Sequence, residues 1–168
     1  MNIVIMGVAG SGKTTVGQEL AARLGDPWRF VEGDDFHPAA NVAKMSRGIP
    51  LADADRVPWL EALRAHLDAC AGRGDSVIVA CSALKASYRR QLAAARGPTR
   101  FVYLKGDVPT LQARLQGRRG HYMKATMLRS QLDALEEPAP GDALVIDAAL
   151  PPREIVDRVV ANLKLRDR

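Results

Sequence analysis

Gly7-Val8-Ala9-Gly10-Ser11-Gly12-Lys13-Thr14 stands between an apolar run, Asn2–Met6, and a stretch whose apolar residues recur at helical spacing from Lys13 to about Leu24. The octapeptide fits GxxxxGK[ST], and strand-turn-helix is the setting in which that spacing cradles phosphate. Its glycines let the backbone curl around an anion with N–H groups turned inward, and the helix start adds partial positive charge. Lys13 is expected to reach the β- and γ-phosphates of a nucleotide, and the Thr14 hydroxyl to hold Mg²⁺ directly. Gly7, Val8, Ala9, Gly10, Ser11, Gly12 and Thr15 complete the expected nucleotide contacts. Residue frequencies in this chain would yield about 0.003 such matches by chance.

Outward from the loop, Gly25-Asp26-Pro27 stops the first helix and Arg29–Gly33 reads as a second strand. Asp34–Pro58 is polar and broken by Pro38, Gly48 and Pro50, with one helix expected over Ala39–Ser46. Pro58 suits the first turn of a helix whose stripe is Leu60, Leu63, Leu67 and Cys70. Ser76–Cys81 is apolar on both faces, as a central parallel strand should be. A helix over Leu84–Arg96, a strand over Arg100–Leu104 and a helix over Val108–Gln116 follow. The pattern ends with a helix from about Lys124 to Glu136, a strand at Ala143–Asp147 and a helix at Pro152–Lys164. Strands alternating with helices imply an α/β fold, a doubly wound parallel five-stranded sheet with helices on both faces. No repeat or linker divides the chain, so residues 1–168 are expected to form one domain.

Composition narrows the function classes. At 47% hydrophobic and 26% charged the chain can build a core, which excludes disorder. Two cysteines, Cys70 and Cys81, make neither a disulfide scaffold nor a zinc module. No apolar run approaches a membrane span and no signal peptide is visible, so the expected compartment is the cytoplasm. The net charge of +5 suits nucleic acid, a membrane surface or a small anionic ligand; its scatter along the chain slightly favours the last, but charge alone does not decide.

Ligands of open parallel sheets bind beyond the carboxyl ends of the strands. Glu32-Gly33-Asp34-Asp35-Phe36-His37-Pro38 falls at such an end. One carboxylate there could take a proton from an attacking hydroxyl and another orient Mg²⁺ through water; alternatively Asp34 and Asp35 cap the following turn. Arg56, in Asp53-Ala54-Asp55-Arg56-Val57-Pro58-Trp59, offers a fork for a carboxylate or an ion pair to Asp53 or Asp55. Ser82, leaving the third strand in Cys81-Ser82-Ala83-Leu84-Lys85, is a ligand contact or an N-cap. Asp147 either bears on Mg²⁺ or caps a turn. Arg114, Arg118, Arg119, Gly120 and His121 suit a mobile lid, about 117–136, that closes on phosphates, or else a solvated helix end. His66 reads as packing.

Taken together these segments resemble the gluconate kinases, within the shikimate-kinase-like P-loop kinases. The resemblance runs through MGVAGSGKTT, EGDDFHP, NVAKMSRGIPL, DRVPWL, CSALK, VYLKGD, RRGHYMK and SQLDALEEP in that order. It implies a P-loop kinase fold with a lid, and ATP-dependent, Mg²⁺-assisted phosphorylation of D-gluconate at its 6-hydroxyl by a cytoplasmic homodimer. By the same resemblance Asp34 is the general base, and Glu32 holds Mg²⁺ through water where relatives more often carry Asp. His37, Arg56, Ser82, Lys85, His121 and Gln131 contact the substrate. Arg118 clamps phosphate, Arg114 joins the nucleotide site, and Leu150 and Pro151 pack the adenine. A shikimate kinase would show a glycine triplet where this chain has Cys81-Ser82-Ala83. A regulator that binds ATP without turnover and an RNA-binding module are the rivals from other classes. The latter expects interleaved aromatics, and three Phe, two Trp and three Tyr are few.

Overall fold

The computed structural model describes residues 1–116 and 122–166, with the backbone alone over 122–126. Five strands, β1 (Asn2–Met6), β2 (Trp28–Glu32), β3 (Ser76–Ala80), β4 (Thr99–Lys105) and β5 (Leu144–Asp147), form one sheet in the order β2-β3-β1-β4-β5. Every pairing is parallel. The helices are α1 (Lys13–Leu24), α2 (Ala39–Ser46), α3 (Asp53–Gly72), α4 (Ala86–Ala93), α5 (Val108–Gln116), α6 (Tyr122–Ala134) and α7 (Pro152–Leu163).

Alternate residues of the central strands feed opposite cores. Val4, Met6, Val77 and Val79 face α3 and α4, packing with Trp59, Leu63, Leu67 and Leu92. Ile3, Ile5, Ile78 and Val102 face α1 and α7, packing with Val16, Leu20, Ile155 and Val159. Strands buried on both faces have no polar alternation, which is why the apolar runs of β1 and β3 are continuous. A third cluster, Val8, Leu84, Leu111, Leu115 and Leu128, seats the phosphate loop on α5 and α6.

The largest departure from the sequence reading is α3, which begins at Asp53 and places Pro58 inside the helix. The Asp55 carboxylate accepts the Ala52 N–H at 2.8 Å, and two acidic residues in the first turn complement the helix dipole. That start outweighs the hydrogen bond Pro58 cannot donate. The helix expected over Leu84–Arg96 spans only Ala86–Ala93, because the loop before it is fixed otherwise: Ala83 is left-handed (φ 43°). Gly33–Phe36, expected as strand end and turn, is a short 3-10 helix. The proposed lid overlaps α6, but Arg118, Arg119 and His121 lie outside the described residues.

Candidate active site

Because β1, β2 and β3 are parallel and in register, with Ile5 and Glu32 both opposite Ala80, their carboxyl ends open on one edge. The phosphate loop leaves β1, Glu32 and Asp34 leave β2, and Ser82 and Lys85 leave β3. A backbone bond from Gly7 N–H to Ser82 O (3.4 Å) ties the first and third of these together.

In the loop, Gly7 adopts φ 143°, and a Cβ there would stand 2.8 Å from Leu104 O and 2.9 Å from Ser11 Oγ. No other residue fits. The Ser11 hydroxyl is wholly buried and has no hydrogen-bond partner among the described residues. Lys13 Nζ donates to Val8 O at 3.0 Å, folding back along the loop. Ala9 N–H donates to Gln131 Oε1 at 2.6 Å, so Gln131, expected at the substrate, bonds the phosphate loop from α6.

Thr14 Oγ1 donates to Glu32 Oε2 at 2.8 Å. Burial pushes the Glu32 carboxyl up; the Thr14 bond opposes this and the neighbouring Asp34 charge adds to it. A hydroxyl and a carboxylate side by side are the hard oxygen donors Mg²⁺ prefers. Among the described residues no group of three or more His, Cys, Asp or Glu could hold a metal. A metal here would therefore take one or two protein oxygens and complete its shell elsewhere.

Asp34 is largely exposed, with Oδ1 3.9 Å from His37 Nε2. The His37 ring is almost covered: it stacks on Trp59 (centroids 4.3 Å apart, planes at 16°), and its Nδ1 is 3.3 Å from Asn41 Nδ2. Burial is the main cause that lowers the His37 pKa, against the opposing Asp34 charge. The buried Trp59 N–H donates to Gly33 O at 2.7 Å, anchoring the residue before Asp34 to α3.

Arg56 donates to Leu51 O (2.6 Å), lies 3.5 Å from the Tyr88 hydroxyl and sits over the Tyr88 ring at 5.7 Å. Its ion-pair partner is Asp53, at 3.8 Å, while Asp55 pairs with Lys44 at 2.6 Å. Lys85 bonds both Asp53 oxygens, at 2.8 and 2.7 Å.

On the other side of the loop a cavity of about 290 Å³ is lined by Gly12, Thr15, Arg114, Leu150, Pro152 and Ile155. Of Leu150 and Pro151, the expected adenine neighbours, Leu150 lines this cavity, as does Pro152. The Arg114 guanidinium overhangs Gly12, 3.9 Å from where a Cβ would be. Asp147 Oδ1 accepts the Ala149 N–H at 2.8 Å and so caps the turn after β5. His66 contacts Phe36 (ring centroids 5.0 Å apart) and Cys70 Sγ (3.4 Å).

Sequence reasoning missed three contributors. The indole N–H of Trp59, buried Arg89 and Tyr88 each have a partner distant in sequence: Gly33, Glu136 and Asp53. Arg89 donates to the carbonyls of Ala83, Leu84 and Glu136, tying the loop after β3 to the segment after α6. Nothing in Ser87-Tyr88-Arg89-Arg90-Gln91 marks Arg89 as the buried one of two adjacent arginines.

A family model described as "AAA domain" matches residues 3–138. The gluconokinase of Gluconobacter oxydans (strain 621H) is 43% identical over 166 residues, covering 98% of this chain and 92% of its own. A sugar kinase from Janibacter sp. HTCC2649 superposes with a TM-score of 0.91 at 41% identity, over 98% of this chain and 94% of that one. A gluconokinase from Sinorhizobium meliloti 1021 gives 0.82 at 41%, over 97% and 95%.

Proposed function

The chain belongs to the gluconokinase family of P-loop kinases, and from that premise we propose that it transfers the γ-phosphoryl group of ATP to the 6-hydroxyl of D-gluconate, giving 6-phospho-D-gluconate and ADP. The observation that carries the reading is the convergence on one sheet edge of a phosphate loop, a carboxylate pair at Glu32 and Asp34, and a cationic cluster at Arg56 and Lys85.

Each part has a task. Phosphoryl transfer passes through a loose transition state, so positioning and charge stabilisation dominate. The loop amides and Lys13 receive the phosphates, with Arg114 beside them and the adenine in the cavity bordered by Leu150 and Pro152. Arg56 and Lys85 take the gluconate carboxylate, and Ser82, at the same loop, its hydroxyls. That orientation sends the far end of the six-carbon chain toward Asp34, which accepts the 6-hydroxyl proton. His37 lies beside Asp34, and Trp59 holds the turn that carries it. Arg118 and His121 belong to the same proposal as lid contacts to phosphate and sugar. Thr14 and Glu32 would hold Mg²⁺, directly and through water, and the ion would supply charge neutralisation at the phosphates. A single catalytic domain acting as a cytoplasmic homodimer completes the proposal; no helix of the described residues is long and apolar enough to cross a membrane.

The test is a coupled assay with purified protein, MgATP and D-gluconate, in which 6-phosphogluconate dehydrogenase reports product as NADPH. Shikimate, other aldonates and AMP serve as alternative acceptors, followed by ADP release. A gluconate-dependent signal is expected. ADP release on another acceptor alone would refute the substrate, and ATP binding without turnover would refute the kinase.

A further inference from the structure

Asp53 sits in the first turn of α3 with its side chain 62% exposed, yet its carboxylate is fully engaged. Both oxygens accept from Lys85 Nζ, Oδ1 also accepts the Tyr88 hydroxyl, and the Arg56 guanidinium stands 3.8 Å away. The Tyr88 ring lies under both cations, with Lys85 Nζ 5.9 Å and the Arg56 carbon 5.7 Å from its centroid. Of the three protons on the Lys85 ammonium, two are committed to Asp53.

The fold does not need this arrangement. Helices α3 and α4 already meet through Trp59, Leu63, Tyr88 and Leu92 in a common core, and exposed ion pairs add little stability. Its effect is on charge. Arg56 and Lys85 against one carboxylate leave a single net positive charge, since the adjacent Asp55 is offset by Lys44. The same contacts hold the Asp53 pKa down and the Lys85 pKa up, chiefly through their mutual hydrogen bond, so both stay charged at neutral pH.

We infer that Asp53 is a specificity-determining residue of the acceptor subsite: by engaging Lys85, Tyr88 and Arg56 it trims the subsite to one net positive charge, matched to a monoanionic sugar acid and poorly matched to a dianion. This rests on the placement of the acid's carboxylate at Arg56 and Lys85.

The experiment compares the parent with Asp53→Asn and Asp53→Glu in the full chain at low ionic strength. Three ligands of one carbon skeleton are measured: D-gluconate by its KM, and D-glucitol and D-glucitol 1-phosphate by competition against gluconate. The last carries a phosphate monoester in place of the carboxylate and is a dianion at about pH 8, well above its second pKa. A unit charge at about 4 Å in water is worth roughly 1 kcal/mol, or about fivefold. Asp53→Asn should therefore raise the preference for the dianion over gluconate by about fivefold or more, leave D-glucitol least affected, and revert in Asp53→Glu. An equal factor for all three ligands, which is what mere loosening of Lys85 would give, overturns the inference. If the parent does not phosphorylate gluconate, the functional reading fails with it. If gluconate is a substrate but Arg56→Ala leaves its KM unchanged, the placement fails and the inference with it.

Discussion

Replacing Trp59 by Phe separates the packing role of this side chain from its hold on the turn that carries Asp34, the proposed base. The indole is 1% exposed, donates to Gly33 O at 2.7 Å and stacks on His37. Phe keeps an aromatic face but loses the N–H and about two ring carbons, roughly 1.6 kcal/mol of burial. The Gly33 carbonyl, left without its donor, costs a further 1–3 kcal/mol or so. The sum, about 3–5 kcal/mol, should lower Tm by roughly 6–20 °C for a chain of this size. Because Gly33 immediately precedes Asp34, the proposed base should also lose its set position, and kcat/KM should fall about 10- to 100-fold. The comparator is Leu67→Ala on the same helix: Leu67 is fully buried in the same core, and its truncation costs a similar 2–5 kcal/mol or so. Thermal melts and steady-state kinetics well below both midpoints give the answer. If Trp59→Phe and Leu67→Ala lose stability alike and activity alike, Trp59 is packing only and the argument for a positioned turn is wrong.

Lys13→Ala should keep the melting temperature of the parent while turnover falls about 10²- to 10³-fold, the scale for losing one charge-stabilising donor; near-normal turnover would refute its phosphate role. Arg56→Ala should raise the gluconate KM and leave the ATP KM unchanged; the reverse pattern would put Arg56 in the nucleotide subsite. Burial raises the Glu32 pKa above its ordinary 4.5, so the stability this group contributes is fully present below 4.5 and is lost as pH rises through its elevated value. Glu32→Gln should therefore be at least as stable as the parent to urea at pH 7, an advantage that vanishes in acid, while turnover drops about 10- to 100-fold. For His37 the sign is opposite: its folded pKa is depressed, so its contribution is present above 6.5 and is lost as pH falls through 6.5 toward the lower folded value. Urea midpoints measured from pH 8 to 5 should show that slope in the parent and a shallower one in His37→Asn.

What was legible in the sequence was local. The phosphate loop, α1, α2 and α5 are set by residues within one turn of each other, and their expected and observed limits coincide. The start of α3 was misplaced because proline has a strong preference for a first turn, whereas the Asp55 bond to Ala52 N–H that starts the helix is a geometric fact no spacing records. The site was legible by residue type and far less by partner. Lys85 was expected at substrate and is found bonded to Asp53, 32 positions away; Gln131 reaches Ala9 across 122. Arg89 reaches Glu136 O across 47, and its three carbonyl acceptors carry no side-chain signature at all. Carbonyl acceptors are present at every residue, so pattern reading has nothing to detect.

Strand β1 lies at the middle of the sheet, between β3 and β4. During synthesis it is made before the strands that must flank it, Ser76–Ala80 and Thr99–Lys105, which follow some 70 and 95 residues later. At about 5–20 residues per second, its two backbone edges and its two apolar faces, Ile3 and Ile5 on one side and Val4 and Met6 on the other, wait on the order of 5–20 s for their neighbours. Chain closure over such spans makes folding slow and nonlocal. The segment that leads into the phosphate loop is thus also open to wrong pairing on the ribosome, and the helices α1 and α7 that cover its Ile3 and Ile5 face cannot both be in place until Pro152–Leu163 has been made.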